Sequence, residues 1–169
     1  MAPRDLRASD VEALHRFACE LARDPDFLSL REEPTLAHEL RFLAGRLEEI
    51  EAGRRVSLVL CDADRVLGLS EVVRDLHPMK SGQIGWLALS VAPEARGRGH
   101  GKMLLEAGID AARDRLHLPV LLLHVWGQNE RGRRLYEKHG FSECGRKSAV
   151  IRHPTAGMVD EITMMRRLG

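Results

Sequence analysis

The spacing of apolar residues along the chain predicts helices first and strands afterwards. Apolar residues recur every three or four positions over residues 11–21 and again over 36–47. This spacing is typical of amphipathic helices that bury one face. A capping-box pattern at Ser9 precedes the first helix, and residues 4–7 are compatible with a short opening strand. The chain is therefore expected to begin with a short strand and two surface helices.

The middle of the chain alternates between strand and helix patterns. Two strands are predicted over 55–61 and 66–74, joined by a short polar turn. An apolar run over 84–91 predicts a central strand, and 120–126 predicts a further apolar strand buried on both faces. Helical spacing over 99–115 lies between them. A strand–helix–strand unit of this kind places its two strands parallel.

The pattern in the last third of the sequence predicts one more helix and a closing hairpin. The helix runs from Glu130 to about His139, where Gly140 stands at the usual position of a left-handed cap. The hairpin strands are predicted over 141–152 and 158–167. Since no repeat or linker divides the chain, we expect one α/β domain over residues 1–169. Its sheet should be mixed, mostly antiparallel and twisted, with about four helices.

The turn after the central strand carries the clearest chemical pattern. Glycines at every second position remove side chains from the start of the following helix, so that a ligand can reach its backbone N–H groups. Helix N-termini of this type bind anions, and arginine suits phosphate oxygens. The turn therefore predicts a pyrophosphate site. Its residues are Arg96, Gly97, Arg98, Gly99, His100, Gly101 and Lys102.

Two common phosphate loops do not fit this turn. A Walker loop requires a glycine where Arg96 stands and a serine or threonine where Met103 stands. A dinucleotide fingerprint requires a glycine where Lys102 stands. The sequence therefore disfavours both an ATP-binding P-loop and a Rossmann dinucleotide site.

The composition of the chain favours a globular domain over a nucleic-acid-binding or membrane protein. The chain has 169 residues, is 44% hydrophobic and 30% charged, and carries a net charge of +1. These values are ordinary for a globular domain and give no field for binding nucleic acid or a membrane surface. No apolar run approaches a membrane span, and the N-terminus has no signal-peptide core. Three widely spaced cysteines favour a reducing, cytoplasmic location.

A second motif follows about 35 residues after the glycine turn. Asn129 is followed by Leu135-Tyr136 and then by Gly140-Phe141. Together with the preceding Val-x-Pro and Arg-x-x-Gly-x-Gly patterns, this segment resembles the GCN5-related N-acetyltransferase (GNAT) family. The closing hairpin is similar to that of bacterial members that acetylate small amines or amino acids.

The resemblance implies a fold and a co-substrate. It implies a sheet of six to seven strands whose central parallel pair is splayed, and acetyl-CoA as the acyl donor without a metal ion. In this family a bulge in the central strand, here at Leu89, Ser90 and Val91, exposes backbone groups to the pantetheine amides. By the same resemblance, Asn129 lies near the pantetheine arm and Tyr136 lies beside the thioester sulfur.

Tyr136 is the predicted acid. When an amine attacks a thioester, the departing thiolate has to be stabilised or protonated. A phenol within hydrogen-bond reach does this and contributes typically about 10²–10⁴-fold. Tyr136 is the only tyrosine of the chain.

The base is less clearly marked in the sequence. The acceptor amine is mostly protonated at neutral pH, so a carboxylate is expected to remove a proton. Glu71, on the strand beside the central one, is the favoured candidate, and Glu32 and Glu33 are the alternatives. Gln83 stands where relatives often carry an acid, and an amide cannot act as a base.

A small amine or a free amino acid is the predicted acceptor. Residues 26–35 combine apolar side chains with carboxylates and favour a loop that covers the thioester and excludes water. Arg146, Lys147 and Arg152 of the closing hairpin are candidates to bind an amino acid's carboxylate.

Two alternatives remain open at this point. In the first alternative, the acceptor is a protein N-terminus or a lysine side chain that is held in an open groove. A different class is a non-catalytic module that senses acyl-CoA, against which the intact Tyr136 argues. Either a monomer or a homodimer is compatible with the sequence.

Overall fold

The computed structural model describes residues 1–25, 32–77, 79 and 82–169. Seven strands in these ranges form a single mixed sheet. All neighbouring strands are antiparallel except β4 and β5, which are parallel, as predicted. The strand order is β1-β2-β3-β4-β5-β7-β6. The strands are β1 (Arg4–Asp5), β2 (Arg55–Asp62), β3 (Arg65–Arg74), β4 (Ile84–Val91), β5 (Val120–Trp126), β6 (Ser142–His153) and β7 (Gly157–Arg167).

The described ranges contain four α-helices, in agreement with the sequence pattern. They are α1 (Val11–Ala22), α2 (Leu36–Glu51), α3 (His100–Asp114) and α4 (Glu130–Lys138), with 3₁₀ turns at Ala8–Asp10 and Pro93–Ala95. None of these helices is both long and apolar enough to cross a membrane.

The predicted cap at Ser9 is wrong. Asp10 holds this turn instead, since its carboxylate accepts from the backbone N–H of Arg7 at 2.8 Å and from the guanidinium of Arg4 at 2.7 Å.

The helices cover the sheet on both faces and bury two apolar clusters. Helix α3 packs against β2, β3 and β4, while α1 and α2 pack against β3 and β2 from the opposite side. The first cluster includes Leu105, Ile109 and Leu123, and the second includes Leu14 and Leu69. The sheet therefore has an α3 face and an α1/α2 face.

Two expectations about the strands were wrong. The β3–β4 ladder runs from the pair Gly68–Val91 to the pair Arg74–Gly85 without a register shift, so the described structure has no bulge at residues 89–91. Strand β5 is not buried on both faces, because His124 at its centre is exposed. Its buried residues alternate with more exposed ones, which is the pattern of a strand with one open face.

Gly108 allows α3 to approach β3 closely. A Cβ atom at this position would lie 2.5 Å from Ser70 Oγ and 3.3 Å from Leu87 Cδ1. Ser70 Oγ is itself buried and has no hydrogen-bond partner among the described residues. The helix can therefore lie this close to the sheet only with glycine at position 108.

We expect Gly108→Ala to lower the free energy of unfolding by about 1–3 kcal/mol, because the added methyl group overpacks the contact. Gly45→Ala in α2 is the control, since a Cβ there meets no atom within 4 Å. It should stabilise the protein by up to about 1 kcal/mol through helix propensity. In a Ser70→Ala background the loss at Gly108 should shrink, since the oxygen that clashes is gone. Urea unfolding of the four variants measures this, and an equal loss in both backgrounds would contradict the proposed contact.

Candidate active site

The central parallel strands separate after a short paired section. Strands β4 and β5 pair at Ile84–Val120, Gly85–Leu121 and Trp86–Leu122, and the ladder ends there. Both strands continue, β4 to Val91 and β5 to Trp126. Beyond Trp86, alternate backbone groups of β4 face a gap in the sheet. Such a gap can accept an extended ligand that bonds like an added strand.

The glycine turn closes one end of this gap. Gly97 and Gly99 have φ values of +84° and +86°, in the left-handed region that side chains disfavour. Gly99 caps α3 without a side-chain hydrogen bond, and the first turn of the helix has no acidic residue. The start of α3 therefore has no side-chain cap and no nearby acid, an arrangement that suits an anion, and pyrophosphate binding here stays a prediction.

His100 supports the turn from within. Its Nδ1 lies 3.1 Å from the carbonyl oxygen of Ala95, which can only accept, so we assign the proton to Nδ1. This contact links the start of α3 to the preceding 3₁₀ turn. The structure thus gives the ring of His100 a role in shaping the turn.

The arginines of the turn differ in their contacts. Arg96 Nε donates to the carbonyl oxygen of Val91 at 3.1 Å, and its guanidinium forms an ion pair with Asp24 at the end of α1. Arg98 is exposed and has no ionic or hydrogen-bond partner among the described residues. Lys102 lies 3.8 Å from Glu106 and is largely exposed. Arg98 and Lys102 are therefore better placed than Arg96 to meet a phosphate.

Arg131 joins this basic group, although sequence analysis did not select it. A Cβ on Gly97 would lie 3.6 Å from a terminal nitrogen of Arg131, which comes from the first turn of α4. Asn129 caps the same helix, accepting from the backbone N–H of Gly132 at 2.8 Å. Asn129 therefore orients α4, and through it Arg131, towards the glycine turn. The run of arginines after Asn129 was the available sequence signal.

Tyr136 of α4 is almost fully buried on the α3 face. It is 8% exposed and its ring makes an edge contact with Phe141 at 6.0 Å between centroids. Burial raises the pKa of Tyr136 to about 12, so the phenol holds its proton over the physiological range. The hydroxyl has no hydrogen-bond partner among the described residues. A protonated phenol of this kind is suited to donate, not to remove, a proton.

Glu71 lies in a buried ionic cluster on the α1/α2 face. Its Oε1 accepts from Arg55 at 2.9 Å and from Ser57 at 2.8 Å, and its Oε2 accepts from Arg46 at 3.2 Å. Arg46 in turn donates to Glu39 of α2 at 3.2 Å. The carboxylate is thus occupied by structural partners that attach α2 to the sheet. This geometry disfavours the role of base that the sequence suggested for Glu71.

The two alternative carboxylates lie at the surface of the protein. Glu33 is exposed and paired with Arg23 at 2.7 Å, and the hydrogen bond from Arg23 lowers the pKa of Glu33. Glu32 is exposed, as is Gln83. The predicted covering loop, residues 26–35, falls largely on residues 26–31, which lie outside the described part of the chain.

Polar side chains that sequence analysis missed gather on the open part of the α1/α2 face. The rings of Trp86 on β4 and His124 on β5 stack at 4.6 Å between centroids, where the two strands begin to separate. His124 Nδ1 lies 3.2 Å from Thr163 Oγ1 and 3.9 Å from Glu161 Oε1, both on β7. Trp86 Nε1 donates to Asp75 at 3.0 Å. The signal for this group was a histidine inside an otherwise apolar strand.

Two of the three predicted hairpin cations already have partners, whereas Arg152 is exposed and has no ionic or side-chain hydrogen-bond partner among the described residues. Lys147 Nζ lies 2.6 Å from Glu161 Oε1, and this contact lowers the pKa of Glu161. Arg146 binds both Glu143 and Asp160. These pairs leave Arg146 and Lys147 poorly suited to hold an amino acid's carboxylate. Within the described ranges, no three His, Cys, Asp or Glu side chains form a group that could bind a metal ion.

Comparison with known proteins decides the family. A family model described as the acetyltransferase (GNAT) family matches residues 15–141. The chain belongs to the GNAT family. Acetyl-CoA is the co-substrate of this family, and the gap and glycine turn provide an open strand edge and a helix N-terminus that fit it.

Individual relatives agree with this assignment. The chain is 33% identical over 93 residues to a mycothiol acetyltransferase of Rhodococcus jostii; the match covers 53% of this chain and spans 30% of that relative's length.

Two solved GNAT-like structures share the fold. A ribosomal-protein-alanine N-acetyltransferase of Brucella melitensis has a TM-score of 0.83 at 23% identity, covering 99% of this chain and 100% of that chain. The protein yncA of Salmonella typhimurium, solved with its cofactor acetyl-CoA, has a TM-score of 0.81 at 20% identity, covering 100% of this chain and 94% of that chain.

The contacts of the GNAT glycine turn predict different effects for its two arginines. We expect Arg98→Ala to weaken CoA binding by about 10- to 150-fold, the value of one hydrogen bond to a charged group, because Arg98 is free to meet phosphate. Arg96→Ala should weaken CoA binding less and lower the melting temperature more, since it removes the contacts with Asp24 and Val91. Calorimetric titration with CoA and thermal unfolding measure the two effects.

Arg113→Ala, at the far end of α3, removes the same charge away from the turn and is the control. A greater loss of affinity in Arg96→Ala than in Arg98→Ala would contradict this assignment. It would mean that Arg96 exchanges Asp24 for phosphate when CoA binds.

Proposed function

We propose that this protein transfers the acetyl group of acetyl-CoA to a primary amine by direct attack of the amine on the thioester. The observation that carries the proposal is the gap between β4 and β5. It is bounded by the glycine turn at one end and opens on a polar face of the sheet at the other. A ligand lying in this gap would have its phosphates at the turn and its thioester between the strands. Residues 1–169 would act as one N-acetyltransferase domain.

The chain's own residues supply binding and proton transfer in this scheme. Alternate backbone groups between Leu87 and Val91, including those around Leu89 and Ser90, would bond to the pantetheine amides. The N–H groups after Gly99, together with Arg98 and Lys102, would hold the pyrophosphate. The thioester supplies the activated acyl group, and the transfer as proposed uses no metal ion.

Tyr136 would protonate the leaving thiolate. Its burial against Phe141 and its raised pKa, to about 12, keep the hydroxyl protonated. A burial-raised pKa also makes the phenol a weaker acid, so its contribution depends on the hydroxyl being close to the developing negative charge.

A small primary amine is the favoured acceptor. The open face carries three polar groups on adjacent strands, Trp86, His124 and Glu161. The area that they span is small, which suits a compact cationic molecule. The mycothiol acetyltransferase among the relatives also acts on a small molecule. Because Arg146 and Lys147 are already paired, only Arg152 of the predicted cations is left to bind the carboxylate of a free amino acid.

A protein N-terminus is the second candidate acceptor. The Brucella structure named for ribosomal-protein alanine acetylation shares this fold at 23% identity, a level at which the likeness concerns the fold alone. The same open face could receive an extended peptide if the covering segment left it accessible. We propose a cytoplasmic location for either activity, where acetyl-CoA is made and the free cysteines stay reduced.

A panel of acceptors tests the proposed function. Release of free CoA thiol from acetyl-CoA should be fastest with small primary amines, slower with amino acids and slowest with peptides. Activity with peptides alone would favour the protein-directed alternative. Binding of acetyl-CoA without thiol release from any acceptor would favour the sensor module.

Tyr136→Phe should lower kcat by about 10²–10⁴-fold with the best amine of the panel, because only the proton donor is lost. The dissociation constant for acetyl-CoA should stay near the wild-type value, since the ring still packs against Phe141. Phe141→Leu is the packing control, because it disturbs the ring contact and leaves the hydroxyl in place. An unchanged kcat in Tyr136→Phe would assign the leaving-group role to water.

A further inference from the structure

We propose that His124 removes the proton from the acceptor amine, with Glu161 and Thr163 as the residues that position its ring. The inference rests on the proposed function, and it replaces the carboxylate base that the sequence suggested. It depends on where the ring lies, which nitrogen is available and what can stabilise the charged ring.

His124 lies where the acceptor would approach the gap. Its ring stacks on Trp86, and Trp86 belongs to the last pair of the β4–β5 ladder. His124 is two residues further along β5, where the strands have separated. It projects to the open α1/α2 face, opposite the buried Leu123 and Val125. The histidine therefore stands at the mouth of the gap, on the face opposite Tyr136.

The ring contacts leave one nitrogen available. Nδ1 faces Thr163 Oγ1 at 3.2 Å and Glu161 Oε1 at 3.9 Å. We assign the proton to Nδ1, because the negative charge of Glu161 favours an N–H group that points towards it and the Thr163 hydroxyl can accept from that group. Nε2 has no hydrogen-bond partner among the described residues, and 39% of the side chain is exposed. Nε2 then carries the lone pair that can take a proton.

Glu161 can stabilise the ring once it is charged. The distance of 3.9 Å is too long for a hydrogen bond but lies within ion-pair range. Glu161 is half-buried, with 15% of its side chain exposed, so the attraction is screened less than at the surface. The same Oε1 also binds Lys147 Nζ of β6 at 2.6 Å. Lys147 and His124 therefore compete for one carboxylate oxygen.

The other described groups near the ring add no second base. On β4 the neighbour is the ring of Trp86, whose Nε1 is bound to Asp75. On β7 the neighbours are Glu161 and Thr163. Glu71 of β3 lies on the same face but is held in its cluster with Arg46 and Arg55.

The proton and electron balance closes with this assignment. An acceptor that arrives as an ammonium ion loses one proton to His124 Nε2, which later passes it to solvent. The freed lone pair forms the new carbon–nitrogen bond as the carbon–sulfur bond breaks, and the bonding pair leaves with sulfur. The second proton of the nitrogen ends on that sulfur, through Tyr136 or water. The net products are the N-acetylated amine, CoA thiol and one proton.

The first test compares His124→Gln with wild type, using the amine that releases CoA thiol fastest in the panel. We expect kcat/KM for the amine to fall by about 10²–10⁴-fold, the usual contribution of a general base, while the acetyl-CoA dissociation constant stays unchanged. The activity of the variant should recover in alkaline solution, where the amine is already neutral. His38→Gln, an exposed histidine on α2, is the matched control and should behave as wild type.

The second test uses the shared carboxylate to separate a chemical role from a structural one. Glu161→Gln removes the anion beside the ring, so the acid limb of the kcat/KM profile should move to lower pH. Lys147→Met frees that anion for His124, so the acid limb should move to higher pH. Thr163→Val should lower kcat/KM without a comparable shift, because it changes the orientation of the ring and not the charge near it. A purely structural His124 would give no opposite shifts.

The outcomes distinguish this inference from the proposed function. The role of His124 would be overturned if His124→Gln retained wild-type activity. It would also be overturned if the acid limb stayed in place in both Glu161→Gln and Lys147→Met. Either result would leave acetyl transfer intact. A wild-type protein that binds acetyl-CoA but releases no thiol with any amine would overturn the proposed function, on which this inference rests.

Discussion

The early end of the β4–β5 ladder is the constraint on which the rest of the site depends. In a continuous sheet each strand satisfies its neighbour's backbone groups, and an unsatisfied buried group costs about 1–3 kcal/mol. Here the ladder stops at the pair Trp86–Leu122 although both strands continue. The exposed edge is acceptable because a ligand can supply the missing partners.

The two faces divide the chemistry between them. On the α3 face, Gly97 and Gly99 expose the start of α3, and Tyr136 is buried nearby in α4 with its proton retained. On the α1/α2 face, Trp86 and His124 stand where the strands part. In the proposed reaction, this arrangement would bring the acyl donor and the acceptor to the gap from opposite sides. A phenol on one face and an imidazole on the other can then act as acid and base without neutralising each other.

Ionic contacts within the fold decide which charged residues remain available. Glu71, Arg46 and Arg55 lie together between α2 and the sheet, where truncating one partner would leave an uncompensated charge. Arg96 is tied to Asp24 and the backbone of Val91. Such residues are attractive candidates in a sequence but serve to hold elements together. The residues that stay free, Arg98 among them, are those without a counter-ion from a distant segment.

The sequence by itself determined the order of the elements, the parallel central pair and the position of the glycine turn, because these depend on local spacing and on the handedness of one crossover. The family motifs likewise lie within short segments. The partners of the charged side chains that pair between distant segments were decided only by the tertiary structure. Asp24 and Arg96 are 72 residues apart, and His124 and Thr163 are 39 apart. No local pattern encodes such distances, so the occupied Glu71 and the exposed His124 became visible only when the sheet brought distant strands together.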